Sequence, residues 1–198
     1  MRRRTLDALL TTGGLIVAIV LLVAGGLLTW ASNFVNDNVH SQLADQKITM
    51  PSGAAISDPQ IKPYLTQYQG QALVNGEQAK AYADHYILVH MNKASGGRTY
   101  EEVSGEFIAL NKTTNPDPAK VKELGDLRQT LFMGNALRSM LLQAYAFGTM
   151  AKIAFWGAVA SFIGAGAMFI LSLLGFFHLR RVPAEQEVRL GHAAPSPA

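Results

Sequence analysis

Apolar residues are concentrated in two long blocks near the ends of this chain. No charged side chain lies between Asp7 and Asp37, and none lies between Lys152 and Arg180. A helix needs about 20 apolar residues to cross the hydrocarbon of a bilayer, and each block provides that many. We therefore predict a plasma-membrane protein with two transmembrane helices, 9–32 and 153–177.

The first block could instead belong to a cleaved signal peptide, because Arg2, Arg3 and Arg4 precede it. A signal peptide has an apolar core of about 7–15 residues and ends at a small-residue cleavage site. This block is longer, and no Ala-x-Ala sequence follows it. We therefore expect an anchor that stays attached after export.

Basic residues flank both predicted spans on the side away from the middle of the chain, since Arg180 and Arg181 follow the second block. Short basic flanks stay in the cytoplasm, whereas a long loop crosses the membrane largely regardless of its charge. We therefore expect cytoplasmic tails at 1–8 and 178–198 and an extracytoplasmic loop at 33–152. Trp30 and Trp156 lie at the loop side of their spans, where aromatic rings favour the interface.

Small residues recur along both blocks, and they let helix backbones approach each other closely. On this basis we expect the two spans to pack together. The small residues in question are Gly14, Ala18 and Gly26 in the first span and Gly157, Ser161 and Ala165 in the second. Neither span contains an ionisable residue at depth, which argues against transport or channel activity by this chain alone.

The loop at 33–152 is predicted to be a small, mostly α-helical module on two helical stalks. Val35, Val39 and Leu43 form an apolar stripe after the first span, and Asp117 followed by Pro118 is a start signal for a helix that runs into the second. Apolar residues at helical spacing predict another helix over 77–93, ending at the Ser-Gly-Gly of 95–97.

Other parts of the loop carry weaker signals. Thr99 and Glu102 form a capping box that predicts a short helix. Residues 50–76 contain three Pro and three Gly, too many interruptions for a long element. Residues 64–68 are compatible with either an edge strand or a helical turn, and the tail after Pro183 lacks an apolar pattern and is predicted to be disordered.

Composition removes several kinds of chemistry. The 198 residues include no Cys, which excludes thiol nucleophiles, thiolate ligands and disulfides. Within 33–152, 11 basic and 11 acidic residues alternate and form no basic stripe, so we expect no nucleic-acid partner. No P-loop, Gly-x-Ser-x-Gly, Gly-x-Gly-x-x-Gly or His-Glu-x-x-His sequence occurs. The Asn111-Lys112-Thr113 sequence matches a glycosylation acceptor, which is a weak match.

Histidines and carboxylates offer few candidate sites. His85 and His90 are five residues apart on one predicted helix and point about 140° apart, so they make a poor metal site. Glu102 and Glu106 share a helix face and could act as a hydrolytic pair, but a cap and a solvated face explain both of them, and Glu101 as well. We therefore expect no catalytic, cofactor-binding or metal-binding residues and no cofactor.

Three segments resemble an uncharacterised actinobacterial family of two-span membrane proteins: GRTYEE at 97–102, LFMGNALR at 131–138 and LLQAYAF at 141–147. The likeness extends from the first span to residues 178–181 and implies the same topology. Some members of that family are described as ring-opening dioxygenases. Such enzymes need an iron site, commonly two His and a carboxylate, and this sequence contains no such constellation. The resemblance therefore implies no mechanism and no ligand.

These observations favour a non-enzymatic membrane protein, an accessory or structural subunit whose module binds another membrane or envelope protein. One alternative is an extracytoplasmic sensor whose small ligand lies among Tyr64, Tyr68, Tyr82 and Tyr86. A second alternative is an enzyme that uses Glu102 and Glu106. No small-molecule substrate is identifiable from the sequence.

The two stalk helices are expected to run antiparallel, with Val39 and Leu43 packed against Leu141 and Tyr145. Equal counting outward from the two spans brings Asp45 near Arg138. We therefore predict an ion pair between Asp45 and Arg138 above this apolar seam.

Overall fold

The computed structural model describes residues 3–181, and this part of the chain is helical apart from turns and short connections. It contains no strand, and its single β-bridge is an antiparallel one between Thr49 and Ala72. The mostly α-helical prediction is therefore confirmed. The tail after Pro183, which was predicted to be disordered, lies outside the described part. The helices are α1 (Arg3–Asp45), α2 (Lys62–Leu65), α3 (Gly76–Tyr82), α4 (Leu88–Ser95), α5 (Tyr100–Asn111) and α6 (Pro118–Leu179).

Two of these helices, α1 and α6, are long and apolar enough to cross a membrane. Only 17% and 11% of the residues in their most apolar windows are buried, whereas a core helix of a soluble protein would be mostly buried. The chain divides into two compact units. One, the helical hairpin, comprises the described residues up to Ser32 and from Ile153 onward; the other, the module, is Asn33–Lys152.

The two segments of the helical hairpin pack through small residues that recur every seven positions. Thr11, Ala18, Gly25 and Ser32 are buried on the first segment. Ala158, Ala165 and Ser172 are buried on the second. A repeat of seven keeps one face of a helix turned toward its partner, and small side chains allow close approach. A Cβ added to Gly14, for example, would lie 2.7 Å from Oγ of Ser172.

The predicted packing of the two segments is therefore present, but some of its predicted residues were wrong. Gly26 is exposed, with nothing within 4 Å of where its Cβ would be, and its neighbour Gly25 takes the buried position. Ser161 is only partly buried, whereas Ala158 is buried. The error came from a spacing of four, which drifts around the helix, where the structure uses seven.

Local signals placed the helix ends of the module correctly. Thr99 and Glu102 form the full capping box at the start of α5, and the backbone hydrogen bond from Thr99 lowers the pKa of Glu102. The Asp117 carboxylate accepts a hydrogen bond from the backbone of Ala119 at 2.9 Å, next to Pro118 at the first position of α6. Gly96 ends α4 in the left-handed conformation, with φ of 65°.

The helix predicted over 77–93 is present but not uniform. It consists of α3, a π-helical segment Ala83–Ile87, and α4. The wider π turn leaves the carbonyl oxygen of Ala83 bonded to the backbone N–H of Leu88 and also accepting from Nε of Arg138 at 3.1 Å. Such segments are frequent at functional or strained positions, and periodicity alone does not reveal them.

Two hydrophobic clusters form the core of the module. The larger joins the end of α1, the turn-rich segment, α3 to α4 and α6; its most buried members include Met50, Ile61, Leu65, Leu73 and Ala79. The smaller consists of Met91, Val103, Leu124 and Leu131. Met50, Ile61, Leu65 and Leu73 are among the largest fully buried side chains of the module. All four come from residues 50–73, which we call the irregular segment, so this segment supplies much of the core. Residues 64–68 form helical turns and no strand.

The predicted stalk packing is partly right and the predicted ion pair is wrong. Leu43 and Leu141 belong to the same buried cluster, and Val39 packs against it. Arg138, however, pairs with Asp84, whose Oδ1 lies 3.1 Å from Nη2 of the arginine. The prediction paired residues at equal distances from the two spans and did not consider the helix from α3 to α4. That helix places Asp84, and not Asp45, beside Arg138.

Candidate functional site

The carboxylates considered for catalysis are engaged in local structure. Glu102 accepts hydrogen bonds from the backbone N–H and the hydroxyl of Thr99, at 2.6 and 2.9 Å. Glu106 forms an ion pair with Nη1 of Arg98 at 2.7 Å. Glu101 is exposed in the first turn of α5. The cap and the helix face thus account for the positions of all three side chains.

The two neighbouring histidines have separate partners. The ring of His85 stacks on Tyr64, with centroids 3.4 Å apart and an interplanar angle of 4°. Nδ1 of His90 lies 2.7 Å from the carbonyl oxygen of Tyr86. Within residues 3–181, no group of three His, Asp or Glu side chains is arranged to hold a metal ion. Asn111 at the glycosylation sequence donates its side-chain amide to the carbonyl of Phe107 at 2.8 Å.

The four tyrosines of the sensor hypothesis do not surround one cavity. Tyr82 and Tyr86 stack on each other at 5.1 Å and pack against the larger cluster. Burial raises the pKa of Tyr82, as expected of a phenol in a core. Tyr64 lies against His85. Of these four tyrosines, Tyr68 thus lines the cavity described next, and Tyr64, Tyr82 and Tyr86 are not among its lining residues.

A cavity of about 600 Å³ does exist in the module, bounded by α1, the start of α3 and α6, and we call it the Tyr68 groove. Its charged, aromatic and imidazole side chains are Asp37, His40, Tyr68, Glu77, Tyr145 and Lys152. Lys152 directly precedes the apolar block that begins at Ile153, and Asp37 follows the first block closely. Two charged residues of the groove are therefore close in sequence to the two apolar blocks.

Local contacts fix the wall of the Tyr68 groove at the start of α3. Oδ1 of Asn75 caps the helix by accepting from the backbone of Gln78 at 3.0 Å, and Oε1 of Gln78 accepts from the backbone of Val74 at 2.8 Å. Gly76 then lies directly on α6, because a Cβ at Gly76 would be 2.9 Å from Cα of Tyr145. Any larger residue would force α3 away from α6.

Some charged side chains of the Tyr68 groove form an ion pair, and one does not. Nζ of Lys152 lies 2.5 Å from Oε1 of Glu77, and this hydrogen bond raises the pKa of Lys152. Both side chains are more than half exposed, at 61% and 51%. The side chain of Asp37 forms no hydrogen bond or ion pair with any residue of the described range 3–181. The groove thus contains one ion pair and one free carboxylate.

A second charged group, Lys80, Asp84 and Arg138, ties α3 and the π-helical segment to α6. Burial alone would raise the pKa of Asp84, but hydrogen bonds from Lys80 at 3.0 Å and Arg138 at 3.1 Å outweigh it, and the pKa is lowered. The ammonium of Lys80 also lies 5.1 Å from the ring centroid of Tyr145. Every charge in this group has a partner, which is typical of a structural cluster.

Arg128 forms the other unusual cationic contact of the module. Its guanidinium lies 5.9 Å from the ring centroid of Tyr100 and 5.2 Å from that of Phe107. A hydrogen bond from Arg128 lowers the pKa of Tyr100. A smaller cavity of about 370 Å³ adjoins these side chains. Arg128 is thus held by two aromatic rings that join α5 to α6.

Six large apolar side chains of α6 are exposed within the module, and we call them the α6 stripe. Its side chains are 50–66% exposed. They are Phe132, Met133, Leu137, Met140, Phe147 and Met150. Between Gln129 and Ala151 the only charged residue is Arg138, which is turned toward Asp84. Gln143 is an exposed polar residue on the same face. Several large apolar side chains exposed on one helix face are typical of an interaction site.

The sequence reasoning missed both the Tyr68 groove and the α6 stripe. The near absence of charge over 129–151 was visible in the sequence and could have revealed the stripe, because a solvated helix normally carries charges on its outer side. The groove had no such signal, since its residues come from three distant segments.

No protein family, no curated protein and no solved structure matches the chain.

Proposed function

We propose that this chain is an integral membrane protein that acts as an accessory or structural subunit, and that its module binds another membrane or envelope protein through the α6 stripe. The length, apolarity and exposure of the predicted spans support the membrane location. The arginines at 2–4 and 180–181 support cytoplasmic ends and an extracytoplasmic module. The observation that carries the binding role is the α6 stripe.

Lipid cannot cover the whole α6 stripe if the second span begins at Ile153. Phe132 is 21 residues before Ile153, and at 1.5 Å per residue this corresponds to about 30 Å along α6. The headgroup region adds only about 5–8 Å on each side of the hydrocarbon. The half of the stripe that includes Phe132, Met133 and Leu137 therefore faces water or protein. Large apolar side chains exposed at that distance favour a protein partner.

Neither alternative has comparable support. The sensor hypothesis depended on Tyr64, Tyr68, Tyr82 and Tyr86, of which Tyr68 alone lines the Tyr68 groove. The enzymatic hypothesis depended on Glu102 and Glu106, which bind Thr99 and Arg98. We therefore propose no catalytic role for these residues.

Co-purification in a mild detergent tests the binding role. We expect a stoichiometric partner with the wild-type chain and loss of that partner in Leu137→Ser/Met140→Ser. The matched control is Ile108→Ser, which changes an exposed apolar residue of α5 outside the stripe. A lone, monodisperse protein with a bound metabolite would favour the sensor instead. If both variants retained the partner equally, the α6 stripe would not be the surface that binds it.

Thiol labelling of whole cells tests the topology. Because the chain has no Cys, single cysteines can be introduced at Ser52, which is exposed in the module, and at Ser196 in the tail. Ser95 would be a poor choice because it is buried. An impermeant reagent should label position 52 and spare position 196. Labelling of the tail alone would contradict the proposed orientation.

A further inference from the structure

We propose that the Tyr68 groove binds an organic ammonium group, with Asp37 as its counter-ion and the rings of Tyr68 and Tyr145 as its apolar walls. This inference is independent of the α6 stripe. It uses the proposed membrane location only to suggest one source of the ligand, the headgroup of an amine-bearing lipid.

The charges in the groove indicate the sign of the ligand. Glu77 and Lys152 neutralise each other through their 2.5 Å contact, so the remaining formal charge is the carboxylate of Asp37. A cation would complete the charge balance, whereas a phosphate or carboxylate ligand would add to the unbalanced negative charge of Asp37. The groove is therefore suited to a positive group.

The aromatic residues indicate the type of cation. An ammonium is attracted to the face of an aromatic ring within about 6 Å of its centroid, and organic ammonium groups are commonly held in this way. Tyr145 already holds one cation, since Nζ of Lys80 lies 5.1 Å from its ring centroid. Tyr68 lines the same groove, and within residues 3–181 no Lys or Arg makes a cation–π contact with its ring. Two rings beside a free carboxylate favour an amine over a bare metal ion, which would need more oxygen ligands.

The size and the place of the groove suggest the source of the amine. A volume of about 600 Å³ admits a small molecule or a lipid headgroup. Lys152 adjoins the first residue of the second apolar block, so a lipid headgroup at the end of the proposed span is one candidate source of the ammonium. Ethanolamine in solution and the ethanolamine headgroup of a phospholipid present the same ammonium, and experiment can separate them.

Titration of the purified chain with ethanolamine, in a detergent without an amine, tests the chemistry. Tyrosine fluorescence or NMR shifts should report saturable binding that Asp37→Asn weakens about tenfold, which corresponds to the loss of one charge-assisted contact. Asp45→Asn is the matched control, because Asp45 ends the same helix outside the groove. Tyr68→Leu should also weaken binding, whereas Tyr68→Phe should bind nearly as wild type.

A second measurement separates the two sources. Native mass spectrometry of the chain released from nanodiscs with equal phosphatidylethanolamine and phosphatidylglycerol should detect preferential retention of the ethanolamine lipid, and Asp37→Asn should abolish that preference. If only soluble ethanolamine binds with Asp37 dependence, the ammonium site stands and the lipid source is wrong. If Asp37→Asn changes neither measurement, or Asp45→Asn changes both equally, the proposal is overturned.

Discussion

Nη2 of Arg138 lies 3.1 Å from Oδ1 of Asp84, a residue 54 positions earlier in the chain. Both side chains are largely buried, at 21% and 23% exposure, and Nε of the same arginine donates to the carbonyl of Ala83. One side chain therefore binds both the side chain and the backbone of the π-helical segment. This contact joins α6 to α3 and α4.

The first prediction concerns the loss of this contact. Arg138→Met keeps much of the apolar stem but leaves Asp84 with Lys80 alone, so we expect a loss of about 1–3 kcal/mol in the free energy of unfolding. Lys122→Met is the control, because Lys122 forms an exposed pair with Asp126 four residues later. Denaturant unfolding in detergent measures both. A control as damaging as Arg138→Met would contradict a specific role for this arginine.

Asp84 also makes the stability of the module depend on pH. Its folded pKa is below the ordinary value of 3.8, so its stabilising effect is present above that value and is lost as the pH falls through the folded pKa. Wild type should be more stable than Asp84→Asn at pH 7, and the difference should shrink below about pH 4. Melting midpoints at pH 7, 5 and 3 test this. A difference that stays constant down to pH 3 would exclude the proposed linkage.

Residues 50–73 should contribute to the free energy of unfolding although they form no long helix. Leu65 is completely buried and belongs to the larger cluster, so Leu65→Ala should cost about 2–5 kcal/mol. Ile108→Ala removes an exposed side chain from α5 and should change stability by less than about 0.5 kcal/mol. Denaturant unfolding compares the two variants. Similar losses would mean that residues 50–73 do not form the core described above.

Two glycines provide a test of close packing with a single methyl group. Gly76→Ala would place Cβ 2.9 Å from Cα of Tyr145, a backbone atom that cannot rotate away. We expect a loss of about 1–3 kcal/mol. Gly105→Ala adds the same methyl inside α5 with nothing within 4 Å and should stabilise the chain by about 0.5–1 kcal/mol. Thermal melts should therefore move in opposite directions, and a stabilising Gly76→Ala would contradict the contact of α3 with α6.

The features that the sequence predicted correctly depend on neighbouring residues. The capping box of Thr99 and Glu102 and the start of α6 at Pro118 each involve residues within a few positions of one another. Hydrogen bonds over such short distances leave a pattern in the sequence. Helix ends were therefore predictable from local chemistry.

Features that the sequence did not predict depend on distant residues. Several acidic residues could have formed an ion pair with Arg138. The path of α3 and α4 places Asp84, and not Asp45, next to it. Asp37, Tyr68 and Lys152 likewise meet in one groove from three separate segments. Periodicity assigns a residue to a face of its own helix but does not identify the element that covers this face. The site therefore required the tertiary structure.

The last prediction concerns the seam of small residues in the helical hairpin. Ala18 is 5% exposed, whereas its neighbour Val17 is 45% exposed on the same helix. Ala18→Leu should force the two helices apart and lower stability by about 1–3 kcal/mol, because a larger side chain cannot fit in the seam. Val17→Leu adds one methylene to an outward position and should change stability by less than about 0.5 kcal/mol. Thermal melts in detergent, followed by circular dichroism, compare the two variants. Equal midpoints would mean that these segments do not pack through the repeat of seven, and the two apolar helices would then have to be treated as independent.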